Sequence, residues 1–215
     1  VIVATRSEEI PILEEILRRG QANGVTCERI GLERLQEIEP YAEGIAAIHV
    51  PESGIVDYSV VCRKLAQIIR ERGGDIWTDA RVYDIRQKGR RAVVESEAGA
   101  VEARCVVGCA GLYSDKFAEM AGMETEVQIV PFRGEYYALK PEATHLCRGL
   151  IYPVPNPNFP FLGVHFTRTI EGGVECGPNA VWAFSREGCD HWTIDGSDLI
   201  ETLRFRGFRK LATKY

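Results

Sequence analysis

The chain has 215 residues, 45% of them hydrophobic and 27% charged, with a formal net charge of −5 and a pI near 5.5. That length suits one large domain or two closely joined ones. The acidic balance argues against a nucleic-acid partner, and no apolar run approaches the roughly 20 residues that span a bilayer.

In chain order, Val1–Thr5 is a β-branched run that reads as a strand. It leads straight into the charged residues Arg6–Glu9, unlike the apolar stretch of a secretory leader. Ser7 is the expected cap of a helix with Pro11 in its first turn, Leu13, Ile16 and Leu17 on its apolar side, and Gly20 at its end. Gly31–Glu39 reads as a second helix stopped before Pro40, and Ile45–His49 as a strand. Asp57 should cap a third helix, whose stripe of Val61, Leu65, Ile68 and Ile69 is expected in the core. Asp75–Thr78, Arg81–Arg86, Ala92–Ser96 and Val101–Arg104 are strand-like, the last two as a hairpin.

Cys105–Asp115 (CVVGCAGLYSD) reads as an apolar strand that breaks at Ala110-Gly111 into a helix beginning near Ser114. A strand, a small-residue turn and a helix start is how backbone amides approach a phosphate, although small residues at such a corner also serve close packing. From Ile129 to Ala183 the chain carries the runs Ile129–Phe132, Tyr136–Leu139, Leu150–Val154, Phe161–Phe166 and Gly173–Cys176, separated by Pro and Gly. These read as successive antiparallel strands. Ile194–Tyr215 closes the sequence as one or two helices, capped at Ser197 or Asp198, with Gly207 as a break.

Among the later strands sit Arg133, Tyr152, His165, Arg168 and Asn179, polar heads suited to a small anionic ligand. His165 is the first choice for a base, because imidazole titrates near neutrality; His49 is the second. Arg133 can form a bidentate pair with a carboxylate, or a structural pair with Glu135. Arg168 lies three residues beyond His165, on the opposite face of a regular strand, so it joins His165 only if the strand bends. Tyr152 offers a hydroxyl, and Asn179 sits in a GPNA turn. The seven cysteines are odd in number and form no CxxC pair, which reads as free thiols in a reducing cytoplasm. His145 and Cys147 lack the second pair a zinc site needs, so no metal is expected.

Five runs together carry a resemblance: ESGIVDY (52–58), VVGCAGLYSD (106–115), VPFRGEYY (130–137), LIYPVPNPNFPFLGVHFTR (150–168) and GPNAVWAFSREG (177–188). They resemble the L-2-hydroxyglutarate dehydrogenase/oxidase family, flavoproteins of the D-amino-acid-oxidase-like superfamily. The resemblance implies FAD-dependent oxidation of a small dicarboxylate, L-2-hydroxyglutarate, to 2-oxoglutarate, with oxygen or a quinone taking the electrons. The alternatives are an amine oxidase of the glycine/D-amino-acid oxidase type and a non-catalytic fragment. No GxGxxG turn occurs in the sequence, which places it in the middle of such an enzyme. The implied fold is mixed α+β and α/β: a largely antiparallel substrate-domain sheet with flanking helices, plus part of a Rossmann-like FAD-binding domain. Residues 1–50 and 126–215 would fall in the substrate domain and 51–125 in the FAD domain. The resemblance places Val82 where backbone contacts adenine and Ala110 and Gly111 near the FAD diphosphate and ribose. His165 takes a position that often carries a flavin-facing Tyr. The implied location is cytoplasmic, with peripheral contact at the inner membrane if the acceptor is a quinone.

Overall fold

The computed structural model describes residues 1–159 and 161–214; Tyr215, the end of the last expected helix, lies outside the described residues. The chain runs β1 (Ile2–Ala4), α1 (Ile10–Ala22), β2 (Glu28–Ile30), α2 (Leu32–Ile38), β3 (Ala46–His49) and α3 (Tyr58–Glu71). Then come β4 (Val82–Lys88), β5 (Arg91–Ser96), β6 (Gly99–Ala103), α4 (Ser114–Met120) and β7 (Phe132–Ala138). It finishes with β8 (Leu150–Pro153), β9 (His165–Arg168), β10 (Val174–Trp182), α5 (Gly196–Arg204) and α6 (Arg206–Ala212). Two compact units result: Val1–Val61 with Gly134–Val181, and Cys62–Arg133 with Trp182–Tyr215.

The first unit is built on a sheet of order β2-β3-β1-β8-β9-β10-β7. β1 runs parallel to β8, whereas the β1–β3, β2–β3, β8–β9 and β9–β10 pairs are antiparallel. Ile2 lies opposite both Ile48 and Tyr152, so these three side chains share one face. On that face Leu13 of α1, fully buried, packs with Ala4, Ala46, Ile48 and Val154. On the other face Leu35 of α2 packs with Val3, Ile30, Ala42 and Ala47. Truncating Leu13 leaves a cavity between helix and sheet, so Leu13→Ala should cost about 2–5 kcal/mol, read as a lowered denaturant midpoint of the intact protein.

Local chemistry sets the ends of α1. Glu9 accepts from the backbone N–H of Thr5 and Arg6, so a 3-10 turn, Ser7–Glu9, precedes the helix and Ser7 is not its cap. The helix continues through Gly20, whose missing side chain admits the Cys27 sulfur (an added Cβ would lie 2.9 Å away). Gly24, at φ +76°, supplies the left-handed residue after the helix instead.

The second unit holds the meander β4-β5-β6, with Ile85 and Val93 buried. Trp182 meets Phe184 edge-on at 4.9 Å and Phe208 of α6 at 4.7 Å. Asp195, not Ser197 or Asp198, caps α5 by accepting their N–H groups, and the break before α6 falls at the extended Phe205 rather than at Gly207.

Several expected elements differ. Asp75–Thr78 and Cys105–Cys109 are not strands: a ladder needs a partner, and among the described residues neither run has one. Val107 is 82% exposed. No residue of α3 is buried, and Leu65 and Ile69 stand about half exposed, because an apolar stripe becomes core only where another element covers it. Ile129–Phe132 and Tyr136–Leu139 do not form two strands; one strand, β7, runs through Gly134, whose bareness lets Pro178 pack against it.

Candidate active site and cofactor corner

In the first unit the side chain of His165 is buried, with Nδ1 3.0 Å from the Gly163 carbonyl. A carbonyl only accepts, so Nδ1 carries the hydrogen, and in the neutral ring Nε2 is the nitrogen with the lone pair. The imidazole stacks on Tyr152 at 4.6 Å and 22°, and the Tyr136 ring meets it edge-on at 6.4 Å. Opposite His165 in the register stands Gly177. An added Cβ there would lie 2.7 Å from the Tyr136 ring and 2.8 Å from the Glu135 carbonyl, so this glycine is what admits Tyr136. Tyr152 also lines a cavity of about 230 Å³ with Ile2, Leu150 and Leu162.

β9 stays in register with β10 as far as Arg168, which pairs with Val174, so Arg168 leaves the sheet on the face opposite His165. Its guanidinium donates to the Cys147 carbonyl at 2.9 Å and weakly to that of Thr144, tying down the 3-10 segment Pro141–Leu146. His49 is on the same side as Arg168, because its neighbour Ile48 shares the face of Tyr152. His49 and Arg168 line a cavity of about 250 Å³ with Arg148 and Glu39. The buried carboxylate of Glu39 accepts the N–H groups of Arg148 and Gly149 at 2.8 and 2.6 Å. The first unit therefore makes two pairs, His165 with Tyr152 and His49 with Arg168. Val50, Ser53 and Leu150 line both cavities at the end of the sheet. Asn179 is exposed on β10, beyond the cis Gly177–Pro178 bond.

In the second unit Arg133 donates to the Asp190 carbonyl at 3.0 Å and meets the His191 ring at 2.5 Å. Val82 and Ala110 come together on a cavity of about 570 Å³, shared with Arg81, Tyr113, Lys116, Phe117, Met120 and Glu187. Gly111 opens the 3-10 turn Gly111–Tyr113 at φ +54°, with open space where a Cβ would sit. Burial raises the pKa of the Tyr113 phenol, and a hydrogen bond to Glu187 raises it further.

Behind this corner lies a group of charges that sequence reasoning missed. Arg186 (2% exposed side chain) binds both oxygens of Asp115 (5% exposed), at 2.7 and 2.8 Å, and donates through Nε to Asp198 at 3.2 Å. Burial alone would raise Asp115, but the Arg186 guanidinium and the N–H groups of Ile129 and Lys116 outweigh it and hold the carboxyl below its ordinary value. Both partners stand inside the runs YSD and SREG, and a charged residue two positions after the apolar Trp182–Phe184 was the one available signal. Among the described residues no group of three or more His, Cys, Asp or Glu could hold a metal ion, and no helix is long and apolar enough to cross a membrane.

The first unit carries a buried histidine on its sheet, and the second carries a small-residue turn on a cavity. The chain belongs to the FAD dependent oxidoreductase family, whose model matches residues 1–208. It is similar over its whole length to the L-2-hydroxyglutarate dehydrogenase of Indibacter alkaliphilus, at 48% identity and covering 54% of that protein. The mitochondrial L-2-hydroxyglutarate dehydrogenase of Nematostella vectensis is 45% identical over the whole chain, which covers 50% of it. The chain thus spans about half the length of the curated relatives it matches. In fold it resembles the FAD-bound L-alpha-glycerophosphate oxidase of Mycoplasma pneumoniae, at a TM-score of 0.74 and 21% identity over 97% of this chain and 55% of that one. The resemblance drawn from the five sequence runs and the mixed sheet-and-helix class are both borne out.

Proposed function

We propose that the intact protein uses FAD to oxidise L-2-hydroxyglutarate to 2-oxoglutarate. The observation that carries this reading is His165, its lone pair at Nε2 and its ring held between two tyrosines, in a chain so similar to L-2-hydroxyglutarate dehydrogenases. FAD, when bound, supplies the acceptor for the hydride that leaves C2 of the substrate. His165 Nε2 takes the hydroxyl proton, while Nδ1–H on the Gly163 carbonyl keeps the ring from turning. The Tyr152 hydroxyl orients a substrate carboxylate, and His49 with Arg168 provides a second polar cavity at the end of the sheet. Val82, Ala110 and Gly111 fit the cofactor. The cavity is about 570 Å³, within the usual size of a cofactor site, and Gly111 leaves bare the space through which a diphosphate would approach backbone amides.

Arg133 and Asn179 remain substrate-binding candidates in this reading. Arg133→Ala should raise KM for the dicarboxylate more than for a monocarboxylate analogue, measured by steady-state turnover; an equal rise for both assigns Arg133 to its Asp190–His191 turn. Oxygen or a quinone takes the electrons. The protein works in the cytoplasm, with peripheral inner-membrane contact when a quinone is the acceptor; turnover dependent on a membrane fraction would support that contact.

The deciding experiment mixes the purified intact protein, without oxygen, with L-2-hydroxyglutarate, its D enantiomer, glycine and D-alanine, and follows flavin absorbance. Bleaching by the L-hydroxy acid alone is expected. Bleaching by glycine or D-alanine but not by the hydroxy acid would replace this reading with an amine oxidase.

A further inference from the structure

We propose that Arg186 is a positioning residue for the cofactor: it sets the direction of the Ala110-Gly111 backbone from behind, without touching the ligand. The inference rests on the reading above that this corner holds FAD. Nη1 of Arg186 donates to the Leu112 carbonyl at 2.6 Å and to Asp115 Oδ1 at 2.7 Å, while Nη2 donates to Asp115 Oδ2. Leu112 is the middle residue of the turn that Gly111 opens, and Asp115 lies in the first turn of α4. One planar guanidinium therefore grips both the turn and the helix start that follows it. Asp115 passes the constraint on by accepting the N–H groups of Lys116 at 2.9 Å and Ile129 at 3.0 Å.

The guanidinium is itself held. Asp198 of α5 accepts from Nε and from the Arg186 backbone N–H, so the fork has one orientation. Glu187, the next residue, lines the same cavity as Tyr113, whose ring lies 5.8 Å from the guanidinium. The Arg186-Glu187 dipeptide thus brackets the Gly111–Tyr113 turn from within and without. A buried ion group is a weak route to stability, since apolar residues of the same volume often do as well. It is a strong route to geometry, because five fixed donors in a plane admit one arrangement of acceptors. Lysine has one point charge and cannot reach Leu112, both Asp115 oxygens and Asp198 together.

The test compares the purified intact protein with its Arg186→Lys, Arg186→Met, Gly111→Val and Leu13→Ala variants. Apoprotein is titrated with FAD by fluorescence quenching, and the thermal midpoint of each apoprotein is recorded. Arg186→Lys should weaken FAD binding by at least about tenfold, whereas Leu13→Ala should lower the midpoint as much or more with FAD affinity within about twofold of the parent. Arg186→Met should weaken binding as much as the lysine variant, and if it does not fold, the lysine variant decides. Parental FAD affinity in Arg186→Lys, with a lowered midpoint, overturns the inference and leaves a structural ion group. Parental affinity in Gly111→Val overturns the assignment of FAD to this corner, and the inference with it.

Discussion

Replacing His165 with alanine lowers turnover of the intact protein on L-2-hydroxyglutarate by at least about 100-fold while FAD stays bound. The magnitude follows from the role. A positioned general base contributes about 10²–10⁴ in rate, and alanine leaves the hydroxyl proton to solvent in a place that is 7% exposed. The loss should fall on kcat, because the imidazole helps most as the O–H bond breaks. A structural histidine would behave differently: losing a ring stacked on Tyr152 would lower stability and leave turnover per folded, flavin-loaded molecule unchanged. Steady-state kinetics normalised to bound flavin separates the two, and unchanged kcat removes His165 from the chemistry. His165→Asn tests the tautomer argument. It can still donate to the Gly163 carbonyl but has no basic nitrogen, so it should recover stability without recovering turnover.

Asp115→Ala should destabilise the protein by about 3–5 kcal/mol. The alanine leaves the Arg186 guanidinium, 2% exposed, without its bidentate partner, and frees the N–H groups of Ile129 and Lys116 as well. Asp198 retains part of the pairing, which keeps the figure from being larger. Because the folded protein holds the Asp115 carboxyl below its unfolded pKa of about 3.9, its stabilisation is fully present above that value and is lost as pH falls through the lower, folded pKa. Denaturant midpoints recorded from pH 6 downward should therefore fall in the parent and converge on those of Asp115→Ala at the acid end. Parallel curves for the two proteins would show that Asp115 does not contribute to the acid limb.

Short-range patterns were legible in the sequence where one residue acts through its neighbours. Asp57 caps α3 by accepting the N–H groups of Ser59 and Val60, as its position before the helix implies. The β5–β6 hairpin, the stop of α2 before Pro40 and the Gly111 turn follow from the same kind of reasoning. So do the face assignments along a strand: the three-residue spacing of His165 and Arg168 already implied opposite sides. Misread were places where a local signal was answered by something distant, such as Gly20 and Gly134, taken as stops but occupied by close approaches of Cys27 and Pro178.

By itself, then, the sequence determined which residues alternate, the helix ends marked by Asp57 and Pro40, and, through the five runs, the family. The tertiary structure alone decided which groups meet. Tyr152 stacks on His165 because β8 and β9 pair in one register, and Tyr136 reaches that ring because Gly177 leaves room for it. Arg186 finds Asp115 across 71 residues of chain. Periodicity fixes the side of an element from which a side chain leaves, but register and packing choose its partner, and those are set by the whole fold at once.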